Sequence, residues 1–425
     1  MQRFQGHETR RAPAPTGGGP GRGRFLRERL TARRVTVLTI ASLVAAIATA
    51  LGLTFGGQID IDIYLMGGAH VTSSSLYSLE YAHSGLYFTY PPFAACLFAP
   101  LSHLPRDLAR VLWALVNASC LLWLLYASIR SVRPELPRRT VQRWTALLAA
   151  PAILLNPVVV SFDFGQVNVV LVAFVVADLV LGVTRIPKGV LTGIAAAVKL
   201  TPLIFVPYLF LTRQFRAGCT AMATFLACGA IGFLVTPHAS WTYWTKDVFD
   251  TSRVGGLLSI SNQNLHSALM RLAHGPVSDA IVVPVTVVVL ALGLGLARWA
   301  HRRSSTMLGV LVCATTGLVI SPVTWAHHLV WVIPVIVWLA FAPDRPVHGV
   351  RWAVAVAVFF WAGPIWWVPT PDRGLHEKPW ELFVGDSYLW AMLVFLLGVA
   401  ALVVSRRRRQ RDSTPVPVSP GVSTR

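Results

Sequence analysis

The chain has 425 residues, 54% of them hydrophobic and 13% charged, about half the charged share of an ordinary soluble protein. Long uncharged stretches recur along it, and about 20 apolar residues suffice to cross the hydrocarbon of a bilayer, so a soluble globular domain is excluded. The net charge of +19 does not signal nucleic acid: 33 arginines and four lysines gather in the tails and in short loops between apolar stretches. That is the pattern of cytoplasmic loops facing anionic headgroups, and membrane lipids are the only partner it calls for.

In chain order, residues 1–34 combine Pro13, Pro15 and the glycines at 17–19 with many arginines, and read as a disordered basic cytoplasmic tail. Residues 35–405 form the membrane domain, and residues 406–425 a second basic cytoplasmic tail. The first apolar stretch, 35–56, is too long for the core of a signal peptide and is followed by others, so it is an uncleaved first helix. Ten full spans follow from hydropathy: 35–56, 108–129, 141–160, 166–183, 217–236, 277–299, 305–322, 326–342, 350–368 and 388–405. Ten crossings return the chain to its starting side, in keeping with basic runs at both ends.

Two apolar segments resist this scheme. Residues 91–104 are short and bounded by proline, and 189–211 are interrupted at Lys199-Leu200-Thr201-Pro202. Counting either as one crossing would put the basic loop 130–143 or 213–216 outside. The first therefore reads as a re-entrant half-helix and the second as a helical pair broken near Lys199. If both cross, the total becomes twelve or thirteen. The expected fold is all-α, a polytopic bundle of about 10–13 helices with its chemistry on outer loops. Irregular backbone at membrane depth survives only against protein or a water-filled cavity, so both breaks point to a cavity.

The expected outer ends collect polar residues. After the first span comes Asp60-Ile61-Asp62-Ile63-Tyr64, in a loop, 57–90, that has no Lys or Arg. Carboxylates at i and i+2 share a face of a strand but lie about 200° apart on a helix. A lone acidic residue there is as readily explained by interfacial solvation. Tyr90-Pro91-Pro92 ends the loop, and Tyr90 is equally a belt aromatic. Gln166 and Asn168 cap a turn or hydrogen-bond sugar hydroxyls. Lys199 needs a partner or a cavity, because an uncompensated lysine in a bilayer costs roughly 2.5–3.5 kcal/mol; a phosphate would suit it. The long loop 237–276 carries Arg253, the amide run Asn262-Gln263-Asn264, His266 and Arg271, and His327-His328 enters a later span. Adjacent histidines seldom share one metal ion, so hydrogen bonding or phosphate contact is the expectation, with no metal site. Cys96, Cys120, Cys219, Cys228 and Cys313 lie in apolar stretches without metal-like spacing and read as small packing residues. No glycine-rich nucleotide-binding motif occurs.

Taken together, Asp60 to Tyr64, Phe88-Thr89-Tyr90-Pro91-Pro92, Gly165-Gln166-Val167-Asn168, Lys199-Leu200-Thr201-Pro202, Asn262-Gln263-Asn264 and Ser321-Pro322 with His327-His328 form an ordered set over residues 58–340. It resembles the actinobacterial polyprenol-phosphate-mannose-dependent α-(1→2)-mannosyltransferases, family 87 glycosyltransferases of the GT-C fold. The resemblance implies a one-step inverting transfer on the outer face of the plasma membrane. The donor would be polyprenyl-phosphate-mannose, and the acceptor a phosphatidylinositol mannoside or the mannan of lipomannan and lipoarabinomannan. It implies no cofactor. Asp60 matches the family's general base; Asp62 stands where members often have histidine, so a share in the role stays open. Lys199, His327 and His328, with Tyr90, Gln166, Asn168, Asn262, Gln263 and Asn264, would hold the donor's phosphate and sugar. The rival readings are a lipid-linked-sugar flippase, which would want more ionisable groups in the spans than Asp178 and Lys199, and a transferase using another polyprenyl-phosphate sugar.

Overall fold

The structure is a computed structural model that describes residues 21–412 except 83, 183–184 and 370–377; side chains are described from 33 to 405. The tail residues 1–20 and 413–425 lie outside these bounds. The first helix, α1, runs over Gly21–Leu53, so residues 21–34 of the expected tail continue the helix of the first span.

Most of the described chain is helical, and its strand is a short antiparallel hairpin, β1 (Glu80–Tyr81) with β2 (Leu86–Tyr87). Six helices are long and apolar enough to cross a membrane: Arg33–Leu53, Arg106–Val132, Phe215–Val235, Asp279–Arg303, Gly349–Trp367 and Ser387–Ser405. The chain is therefore an all-α, multi-pass membrane protein. The ten straight spans expected from hydropathy are not ten long helices, because several of them are bent or short among the described residues. Span 141–160 is two helices, α5 (Arg138–Ile153) and α6 (Asn156–Asp163), bent by 76°. The cause is Pro157, which lacks an N–H and clashes with a preceding turn, so it begins a new helix and cannot continue the old one. Span 166–183 is helical over Asn168–Val175 and then widens into a π-turn at Val176–Leu181. Span 305–322 holds only the 15 residues Thr306–Ile320, about 22 Å at 1.5 Å per residue.

The two segments singled out for irregularity are irregular. Pro92–Ser102, α3, is an 11-residue helix, too short to cross. Val190–Val198 stops at Lys199, whose backbone is extended (φ −151°, ψ 129°), and the chain resumes through a 3-10 turn, Thr201–Ile204, into Phe205–Leu211. Pro202 again occupies a first turn, where its missing N–H costs nothing.

Arg106–Val132 (α4) buries Leu121, Leu124, Leu125 and Ile129 against its neighbours and leaves Leu108, Leu112, Leu115 and Val116 exposed. Asp178, the one acidic side chain well inside a span, has a structural job. Its Oδ1 accepts from Gly189 N–H at 2.8 Å, and its Oδ2 accepts from the Thr192 N–H at 2.9 Å and hydroxyl at 2.7 Å. It thus satisfies the orphan donors at the start of Val190–Val198. Arg271, 1% exposed, ion-pairs Asp386 and donates to the carbonyls of Ser259 at 2.8 Å and Asn262 at 3.0 Å. It ties the long loop to the foot of the last helix.

Candidate active site

Five residues after α1 ends, the chain turns sharply at Gln58, whose φ of 46° is left-handed. The strain is held by hydrogen bonds to a distant turn: Gln58 N–H donates to Asp163 O at 2.7 Å and its Nε2 to Phe162 O at 2.6 Å. The N–H groups of Asp60 and Ile61 both donate to Phe164 O, at 2.9 and 3.2 Å. From here α2 runs over Ile59–Ala69. Gly165 at φ +68° lets the two pieces meet, since a Cβ there would stand 2.6 Å from Ile61 Cγ2. Trp113 locks the turn from α4 by donating to Gly165 O at 2.7 Å.

Because α2 is helical, Asp60 and Asp62 face opposite ways. Asp62 is clamped: Arg106 and Arg110 reach it bidentately, with Nε–Oδ1 distances of 3.1 and 3.0 Å, and the Tyr81 hydroxyl donates at 2.7 Å. Burial alone would raise its pKa, but the bonds from Arg106, Arg110 and Tyr81 together outweigh it and hold the carboxyl below its ordinary value. A carboxylate so saturated is a poor proton acceptor.

Asp60 faces the interior and is half-buried. Burial pushes its pKa up to about 6, against the pull of a Gln166 hydrogen bond and the charge of Lys199. A carboxyl raised in this way is suited to take a proton near neutral pH. Around it stand Tyr64 and Tyr90, whose hydroxyls share a hydrogen bond of 2.8 Å; Tyr64 also donates to Gln166 Oε1 at 3.0 Å. Asn168 Nδ2 reaches the same Oε1 at 3.2 Å and the carbonyl of His327 at 3.1 Å.

Lys199 closes the cluster. Its Nζ donates to Asn168 Oδ1 at 3.0 Å, lies 2.8 Å from His328 Nε2, and sits 5.4 Å from the centre of the Tyr90 ring. When Lys199 carries its proton it can only donate, and His328 Nε2 then accepts. His327 is 4% exposed, packs edge-on to Phe164 at 5.7 Å, and neither of its ring nitrogens has a partner among the described residues. A buried imidazole in that state is available to a ligand. From Asn168 and His328 a groove leads away between Leu171, Val175, Ile204, Phe205, Leu318 and Trp331. Its lining is apolar apart from this polar end.

The structure thus brings together Asp60, Tyr90, Gln166, Asn168, Lys199, His327 and His328. It does not bring the amide run to them. Asn262 Oδ1 accepts from Thr324 N–H at 2.8 Å and from Asn264 Nδ2 at 2.7 Å; Asn264 Nδ2 also reaches Pro322 O at 3.0 Å. Gln263 donates to Gly385 O at 2.6 Å and accepts from Leu389 N–H at 3.0 Å. All three are fully buried and knit the long loop to residues 322–324 and to the last helix. Sequence reasoning left out Tyr64, although it is i+4 from Asp60 and so on the same helical face. It also left out Arg106 and Arg110, whose i,i+4 spacing at a helix start is the signal for a shared acidic partner. Among the described residues no three His, Cys, Asp or Glu side chains gather as a metal site.

A carboxyl with a raised pKa opposite a lysine–histidine pair, at the mouth of an apolar groove inside a membrane bundle, is equipment for group transfer from a lipid carrying an anionic leaving group. The chain belongs to glycosyltransferase family 87, whose family model matches residues 88–322. It is 35% identical to the polyprenol-phosphate-mannose-dependent α-(1-2)-phosphatidylinositol mannoside mannosyltransferase of Mycobacterium tuberculosis, over 85% of this chain and 90% of that one. The enzyme of the same description from Mycolicibacterium smegmatis is 35% identical over 84% of this chain and 86% of its own. A phosphatidylinositol pentamannoside mannosyltransferase from that organism is 31% identical over 87% and 90%. No solved structure matches the chain.

Proposed function

We propose that this glycosyltransferase moves mannose from polyprenyl-phosphate-mannose to a mannose 2-hydroxyl of a mannolipid, with inversion to an α-(1→2) linkage, on the outer face of the plasma membrane. The relatives are named as phosphatidylinositol mannoside mannosyltransferases, which favours a phosphatidylinositol mannoside as acceptor, and the mannan of lipomannan or lipoarabinomannan is the alternative. The observation that carries this reading is the cluster in which Lys199 meets Asn168 and His328 and its charge acts on Asp60, with an apolar groove that begins at Asn168 and His328.

In the proposed step the acceptor oxygen attacks the anomeric carbon as the bond from that carbon to the phosphate oxygen breaks. The hydroxyl proton passes to Asp60, and the electron pair leaves with the phosphate. Lys199 supplies positive charge where negative charge grows, in a partly desolvated site where it counts for more than in water. The free nitrogens of His327 add hydrogen bonds to the phosphate or the sugar. Asp62 takes no part in the proton transfer, because its arginines occupy it. The groove receives the polyprenyl tail.

The test is transfer by purified protein in proteoliposomes, with polyprenyl-phosphate-mannose and GDP-mannose offered separately to a phosphatidylinositol mannoside. Product is expected from the lipid donor alone, and linkage analysis should give α-(1→2). Product from GDP-mannose without polyprenyl phosphate would overturn the reading, and transfer of a different sugar from its polyprenyl phosphate in preference to mannose would redirect it.

A further inference from the structure

Arg106 and Arg110 stand one turn apart at the start of α4 and close on a single carboxylate. Their Nε groups lie 3.1 and 3.0 Å from Asp62 Oδ1, and the Nη2 groups of both reach Oδ2. The Tyr81 hydroxyl accepts from Arg106 at 2.9 Å and donates to Oδ2 at 2.7 Å, so the hairpin braces the pair as well. Two positive charges thus share one negative charge. The Nη1 group of each arginine has no hydrogen-bond partner among the described residues. Asp107, whose charge also acts on Arg106, is the next residue along the helix, about 100° round it, and bonds neither guanidinium. Exposure separates the two arginines: the Arg106 side chain is 58% exposed, that of Arg110 15% and that of Asp62 3%. Arg110 balances Asp62 within the fold, and Arg106 is presented outward.

The position of the pair needs an explanation. Short basic loops mark the cytoplasmic side, and the loop 130–143 follows the far end of the same 27-residue helix. Arg106 and Arg110 lie at the opposite end, near the turn that holds α2, so anionic lipid at the cytoplasmic surface does not account for them. Beyond them the exposed surface of α4 turns apolar, with Leu108, Leu112, Leu115 and Val116. A guanidinium at the edge of such a surface sits at the depth of lipid phosphates, and its planar fork matches their oxygens.

Resting on the mannosyl-transfer reading above, we propose that Arg106 and Arg110 bind the phosphodiester of the acceptor lipid, with Asp62 holding the two guanidiniums in place. Asp60 and Asp62 lie on opposite faces of α2, and a helix with its side chains is about 10–12 Å across. A phosphatidylinositol mannoside carries an inositol and at least one mannose between its phosphate and a reacting hydroxyl, enough to pass from one face to the other. The lipid phosphate on the arginines and the sugar at Asp60 are then held by two sides of one helix. An acceptor without phosphate is held by its sugar alone. The arginine pair thereby favours a phosphate-bearing acceptor, independently of the donor phosphate at Lys199.

The experiment compares two acceptors in neutral phosphatidylcholine proteoliposomes with polyprenyl-phosphate-mannose as donor: a phosphatidylinositol mannoside, and octyl α-mannoside, which has no phosphate. Where turnover of octyl α-mannoside is too slow to follow, its inhibition constant against the lipid acceptor takes the place of its KM. Arg106→Ala is the variant of choice, because Arg110 stays to balance Asp62; Arg106→Gln stands in should the alanine variant lose stability. KM for the phosphatidylinositol mannoside should rise about tenfold or more, the loss of one charge-assisted hydrogen bond. The preference for it over octyl α-mannoside should fall by a similar factor, while donor KM changes less than about threefold. Arg106→Lys keeps the charge without the fork and should restore part of the preference. An unchanged preference, or equal losses on both acceptors, would overturn the proposal and leave the arginines as a fastening for Asp62. Phosphatidylglycerol added to the vesicles separates the acceptor's phosphate from that of bulk lipid. An effect of Arg106→Ala on both acceptors that appears only with phosphatidylglycerol would assign the site to bulk anionic lipid, against the proposal. Wild type that transfers nothing from polyprenyl-phosphate-mannose to either acceptor would instead defeat the underlying reading, and this proposal with it, whatever the variants do.

Discussion

Asp60 and Asp62 are chemically the same residue two positions apart, and their surroundings separate them. Asp62 has two guanidiniums and a phenol on it, whereas Asp60 is pushed up to about 6 by burial. Asp60→Asn keeps shape but cannot accept a proton, so turnover should fall about 10²–10⁴-fold with donor KM little changed, as radiolabel transfer would show. Asp62→Asn should act differently. It leaves Arg110 half-hidden with no full counter-charge, so thermal unfolding should come earlier, by about 1–3 kcal/mol, while turnover falls less than for Asp60→Asn. Equal loss of turnover in both, with normal folding, would mean the roles are misassigned. The pH dependence has a definite sign. The base works ionised, so activity should be full above its raised pKa and decline as pH falls through about 6. Lys199→Ala should lower activity strongly, and Lys199→Arg restore only part, because a planar fork cannot occupy the point between Asn168 and His328.

At the scale of elements, breaks in helices make the site. Lys199 is reachable because Val190–Val198 stops before it, and Pro202 restarts the chain beyond it. That much was legible, since a lysine followed by Leu-Thr-Pro inside an apolar run is a local signal. Pro157 was equally visible, yet the bend it makes was read as part of one straight span, because hydropathy averages over a proline and takes no account of its geometry. The amide run at 262–264 shows the opposite limit. Three polar amides in a loop look alike in sequence whether they bind a sugar or fasten a loop, and their partners at 322–324 and 385–389 are far along the chain. Gly165 belongs to this scale too. Gly165→Ala would put a methyl against Ile61 in a left-handed backbone, pushing the start of α2 from the turn that holds it. Turnover should drop although Asp60 is intact, and unfolding should shift down by about 1–3 kcal/mol. Unchanged turnover would show that the turn does not position the base.

At the scale of the molecule, the question is which way the bundle sits. The site lies among the end of α1, the start of α4 and the break at Lys199. The basic loop 130–143 follows the other end of α4, one full helix of 27 residues away, about 40 Å at 1.5 Å per residue. That exceeds the hydrocarbon thickness of about 30 Å, so the pocket and the basic loop belong to opposite faces. Arginine-rich short loops favour the cytoplasmic side, and the orientation proposed above, with the pocket on the outer face, follows that rule. The check uses single cysteines in a background without Cys96, Cys120, Cys219, Cys228 and Cys313. Ser74 and Arg138 are both exposed, the first beside the pocket's loop and the second at the start of α5. In intact cells an impermeant maleimide should label Ser74→Cys and leave Arg138→Cys unlabelled until the membrane is opened. Labelling of Arg138→Cys in intact cells, with Ser74→Cys protected, would turn the bundle over and put the donor site on the cytoplasmic side.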